Sequence, residues 1–121
     1  MNKEEIQQFC ESELASYVYD VPDSALGKPW SSEKVDVQLK QLKNSIVEPY
    51  IERMELRDTF DQLGMKEPEY QELLVVADDN DGYKVFYDPS MDEFGLAMYT
   101  EDETPVTIGV RGDFVGAFLA R

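Results

Sequence analysis

Ile6, Phe9, Cys10, Leu14, Tyr17 and Val18 recur at intervals of three and four residues, which predicts one amphipathic helix ending near Tyr19. Asn2 and Glu5 stand at capping-box spacing before it. Residues 20–30 carry Pro22, Gly27 and Pro29 and predict a loop that ends at Trp30. Ser31 and Ser32 can cap a second helix marked by Val35, Leu39, Leu42 and Ile46. Pro49 has no amide donor, so this helix should kink or restart there. A third helical run would follow, burying Tyr50, Ile51, Met54, Phe60 and Leu63 and closing at Gly64.

The period changes after Pro68. Leu73 to Ala77 is an unbroken apolar run of strand length, followed by the turn-forming series Asp78-Asp79-Asn80-Asp81-Gly82. Tyr83, Val85 and Tyr87 alternate with Lys84 and Phe86, as in a hairpin partner. Asp88-Pro89-Ser90 turns the chain, Phe94–Thr100 predicts a third strand, and Val106–Val110 a fourth after the charged turn 101–105. Gly112 and Asp113 then introduce a short helix holding Phe114, Val115, Phe118 and Leu119. Two or three helices, a roughly four-stranded antiparallel meander and a closing helix make one α+β domain over residues 1–121.

Charge narrows the function. The chain has 26 acidic and 11 basic residues, no histidine and a formal charge of −15 over 121 residues. Twelve carboxylates stand between Glu67 and Glu103 with Lys84 as the single base. The acidity therefore belongs to the strand-forming half. Such a surface repels nucleic acid and anionic membranes and attracts cationic partners. There is no apolar stretch of membrane-spanning length, and four glutamates within residues 1–13 do not fit a signal peptide, so a cytoplasmic location is expected.

The missing residue types exclude common chemistries. Without histidine there is no Ser-His-Asp or Cys-His arrangement and no imidazole zinc site, and one cysteine cannot form a thiolate cluster. Asp79, Asp81, Gly82 and Asp88 match part of a calcium-loop frame, but Ala77 occupies its first ligand position, so a β-turn is the simpler reading. Arg111-Gly112-Asp113 is read as strand end, glycine turn and helix cap. Cys10 lies on the apolar helix face as a buried small hydrophobe. No catalytic residue, metal site or cofactor is expected, and the chain is not read as an enzyme.

The run Leu73–Ala77, the acidic turn ending at Gly82, the strand end Tyr87-Asp88, and Gly112-Asp113-Phe114 with Phe118-Leu119 together resemble the SUKH superfamily. These are small, often acidic bacterial proteins, many of them immunity partners of polymorphic toxins. The resemblance spans residues 70–121 and implies a toxin-neutralising binding protein.

Acids interleaved with tyrosine and tryptophan suit the surface of a protein that binds a basic protein. The expected contact residues are Trp30, Asp79, Asp81, Tyr83, Asp92, Glu93, Tyr99, Glu101, Asp102 and Glu103, with the three turns forming one negative face. Neutralisation of a basic toxin by steric and electrostatic occlusion is the favoured reading. A secretion or assembly chaperone and a DNA-mimic inhibitor of a nucleic-acid enzyme are its alternatives.

Overall fold

Asn2 caps the first helix, α1 (Lys3–Ser16), through the expected box: its side chain accepts from the Glu5 amide at 2.8 Å, and Glu5 accepts from the Asn2 amide at 3.2 Å. This computed structural model describes residues 2–19, 30–59, 67–101 and 103–121. The loop expected over 20–29, and Phe60, Leu63 and Gly64, lie outside them. α1 ends earlier than its apolar stripe, because Tyr17 is already extended, and Val18 is exposed. Ser31 caps α2 (Ser32–Ser45) by accepting from the Lys34 amide at 3.2 Å.

The next segment corrects the third helix. Residues Ile46–Leu56 form a strand, β1, with a register shift around Pro49. The missing amide that would break a helix is tolerated where a strand bulges. Beyond it, Tyr50, Glu52, Met54 and Leu56 turn inward while Ile51, Arg53 and Glu55 face out. This period of two was masked by the closeness of Tyr50, Ile51 and Met54. The four expected strands follow as β2 (Glu69–Asp78), β3 (Tyr83–Asp88), β4 (Glu93–Met98) and β5 (Val106–Gly112). The short helix α3 (Phe114–Leu119) comes last, capped by Asp113, whose carboxylate accepts from the Gly116 amide.

The meander therefore has five strands, and it closes into a barrel in the order β1-β2-β3-β4-β5. Neighbours are antiparallel except at the seam, where β1 meets β5 in parallel through Glu55 and Val106. The seam is short and reinforced. The Glu55 amide donates to the Pro105 carbonyl at 2.9 Å, and the Arg57 amide to Thr107 Oγ1 at 2.8 Å.

Two cores result, one on each face of the sheet. Val85, Tyr87, Phe94 and Leu96 pack outward against Ile6 and Cys10 of α1, Leu42 of α2, and Phe114 and Phe118 of α3. Met54, Leu56, Leu73, Val75, Phe86 and Ala97 fill the barrel. β3 is thus buried on both sides. Its lumen-facing residues are Lys84, Phe86 and Asp88, two of them charged.

Each lumen charge is matched. Lys84 Nζ lies 2.6 Å from Glu52 Oε1, near the Tyr50 and Tyr99 rings. At the other end, Arg111 Nη1 donates to Asp88 Oδ2 at 2.7 Å and to Glu93 at 3.3 Å, while Nη2 donates to Asp58 at 2.9 Å. Ser90 donates to Asp88 Oδ1 through its amide at 3.0 Å and its hydroxyl at 2.6 Å. Burial pushes the Asp88 carboxyl up, but the bonds from Ser90 and Arg111 outweigh it and hold the group below its ordinary range.

Two variants test this interior. A Cβ on Gly95 would stand 2.3 Å from Phe86 Cζ, and the Phe86 ring is fully buried in the barrel. Gly95→Ala should cost about 1–3 kcal/mol in urea unfolding, because the ring has no free volume to move into. Arg111→Leu should cost about 3–5 kcal/mol near neutral pH by leaving buried Asp88 without its cation. Because the native Asp88 pKa is lowered, its stabilisation is fully present above the unfolded value of about 3.9 and is lost as pH falls through the native value. Without Arg111 part of that lowering is lost, so Asp88 protonates at higher pH in the folded variant than in the folded wild type. The stability gap between wild type and Arg111→Leu should therefore narrow on acidification. Parallel curves from neutral pH to pH 3 would show that Asp88 does not depend on Arg111.

Candidate functional site

Strand register divides the acidic turns between the two ends of the barrel. Tyr83 pairs with Met98 at one end of the β3–β4 ladder and Asp88 with Glu93 at the other. The β2–β3 turn (79–82) and the β4–β5 connection (99–105) share the first end. The β3–β4 turn with Asp92 and Glu93 lies at the second. The single face expected from all three turns is therefore corrected to two, because odd and even turns of a meander point opposite ways.

At the first end, Asp79 builds the turn. Its Oδ1 accepts from the amides of Asp81 at 2.8 Å and Tyr83 at 3.0 Å, and Oδ2 accepts from Arg121 Nη1 at 3.0 Å. Its side chain is 1% exposed, so it cannot serve as a contact residue. Arg121 also donates to Gln38 of α2 at 2.7 Å and lies over the Phe118 ring, tying this turn to two helices. Tyr83 is half-buried against the outer core. What stands free at this end is Asp81, Glu101 and Glu103, all exposed. Asp102 lies outside the described residues.

Tyr99 stands among these acids. Its amide donates to the Gly82 carbonyl at 2.9 Å and its hydroxyl donates to Asp78, so it links the two turns across the barrel mouth. One side of the ring lies 5.3 Å from Lys84 Nζ, yet the residue keeps 39% of its surface exposed. Partial burial, the bond to Asp78 and the charge of Asp79 raise the Tyr99 phenol well above its ordinary pKa. It remains a neutral donor under physiological conditions.

The other expected residues do not join this group. Asp92 accepts from the Tyr87 hydroxyl at 2.7 Å and Glu93 is paired with Arg111, both at the second end. Trp30 belongs to the helical layer, stacked on Tyr19 with Lys34 Nζ 4.2 Å from its ring centre.

Charge at the surface differs from charge in the sequence. Residues 67–121 contain three bases, Lys84, Arg111 and Arg121. Their side chains are only 12%, 18% and 11% exposed, and each is held by carboxylates from within. The exterior of residues 67–121 therefore presents acids with little positive charge of its own, and the nearest exposed base is Arg57, which shares a surface pocket with Glu101. The inward turn of Lys84 had a signal, since it shares a period of two with Phe86 and Asp88. The partners of Arg111 and Arg121 had none, because Asp58 and Asp79 lie dozens of residues away.

Cys10 is fully buried, and its thiol is pushed up to about 12 by burial and by Glu11 and Glu13, so it stays protonated. Among the described residues no group of three or more His, Cys, Asp or Glu could hold a metal ion, and no helix is long and apolar enough to cross a membrane. Set against known proteins, the chain matches no family model, no curated protein and no solved structure.

Proposed function

We propose that this chain is an acidic binding protein that neutralises a basic protein, in the manner of a bacterial toxin-immunity protein. The barrel end around Tyr99 is the contact surface. Asp81, Glu101 and Glu103 speed association, Tyr99 supplies a desolvated anchor, and the rigid barrel mouth covers the partner's cationic cleft. The observation that carries this reading is the internal use of Lys84, Arg111 and Arg121, which leaves the exterior of residues 67–121 acidic, with Arg57 the base nearest to Glu101. Many toxins that act on nucleic acid need cationic clefts, and an anionic barrel end complements them. On this reading the chain uses no cofactor, nucleic acid or membrane and works in the cytoplasm.

A chaperone reading has support of its own in the groove of about 600 Å³ between α1 and α2, lined by Leu14, Leu39 and Ile46. An extended client there would leave the barrel end free. The two readings assign the partner to different faces.

Capture of partners from the native host, followed by binding kinetics with the purified partner, tests the choice. A basic partner should associate about tenfold or more slowly once salt shortens the Debye length from about 10 Å to about 3 Å. The triple variant Asp81→Asn, Glu101→Gln, Glu103→Gln should act mainly on the on-rate, and Tyr99→Ala mainly on the off-rate. An acidic partner, or kinetics indifferent to both salt and the triple variant, would move the contact to the helical groove.

A further inference from the structure

α2 is the only helix in the described residues with more bases than acids: Lys34, Lys40 and Lys43 against Glu33 and Asp36. Val35 and Leu42 face the core, so Glu33, Asp36, Val37, Lys40 and Lys43 form the outward stripe, and all five are exposed. Val37, at 61% exposure, is an apolar side chain at one edge of it. None of its four charged residues makes an ion pair within the described residues.

Their order along the helix is self-complementary. Asp36 and Lys40 lie equally far on either side of residue 38, and so do Glu33 and Lys43. When two such helices pack antiparallel about a twofold axis at residue 38, Glu33 meets the other copy's Lys43 and Asp36 its Lys40, twice each. Isologous contacts require this pattern. We infer that the outward stripe of α2, Glu33 to Lys43, is the interface through which two copies of this chain pair.

The rest of the molecule favours this face. A 14-residue helix is about 21 Å long, enough for all four charge pairs, with Val37 at their edge. The stripe borders the groove between α1 and α2, whose Leu14, Leu39 and Ile46 add apolar area. The same packing sets the Trp30 end of one α2 beside the Ile46 end of the other. The stripe carries two acids and two bases, so two copies approach through it without net repulsion.

Sedimentation of the full chain from micromolar to near-millimolar concentration reads the association. Wild type should dimerise. Lys40→Glu with Lys43→Glu makes the stripe wholly acidic, and Glu33→Lys with Asp36→Lys makes it wholly basic, and each should weaken self-association at least tenfold. An equimolar mixture of the two should form a heterodimer at least as tight as the wild-type homodimer. Circular dichroism checks that both variants stay folded. If a variant is unfolded, Val37→Cys decides instead. Residue 37 is level with the axis at the edge of the stripe, so with helices about 8–10 Å apart a short bismaleimide should cross-link the two thiols much faster than those of Glu4→Cys on exposed α1. Wild type monomeric throughout, a dimer unaffected by either charge variant, or equal cross-linking at 37 and 4 would overturn the assignment.

Discussion

The double burial of β3 governs the rest of this structure. A strand covered on one side by helices and on the other by a closed barrel has no solvent-facing side, so its polar residues must be satisfied inside. Lys84 and Asp88 are therefore each answered by a charge from another strand, Glu52 of β1 and Arg111 of β5. Phe86 lies between them, against Gly95 and with Arg111 near its ring. The two ion pairs connect β3 to strands it does not touch through backbone ladders. They close the ends of an otherwise apolar lumen.

This arrangement also shapes the outer field. A base pointing inward lowers the positive charge a partner meets, although it leaves the net charge unchanged. Lys84, Arg111 and Arg121 all neutralise carboxylates that the fold has buried or half-buried, while Asp81, Glu101 and Glu103 stay in solvent. Internal ion pairing and external anionic character are thus one design feature seen from two sides. The proposed steering of a basic partner is a by-product of how the barrel is filled.

Much of the fold was legible in local chemistry. The Asn2–Glu5 box, the Ser31 cap, the turn before Gly82 and the Asp113 cap each depend on residues within a few positions of one another, and the structure contains all of them. Ile46–Leu56 was misread because Pro49 and its apolar neighbours fit an interrupted helix as well as a bulged strand. Pairing with β2 decides between them, and those partners lie beyond the local window, from Leu56 with Glu69 to Ile46 with Ala77. The site divided similarly. Exposed acids in turns could be read from sequence. That Asp79 would be consumed by its own turn and by Arg121 could not, whereas the split between barrel ends already follows from the expected meander, since its alternate turns point opposite ways.

Charge placement then separates the molecule into two surfaces with different rules. The barrel end around Tyr99 is predominantly acidic and meets its own copy with repulsion, so it suits a foreign cationic surface. The outer stripe of α2 carries both signs in a symmetric order and can face its own copy at low cost. Arg121 holds the β2–β3 turn against Gln38, on the inner side of that same helix. Pairing through α2 would leave both barrel ends uncovered and offer two contact sites per assembly.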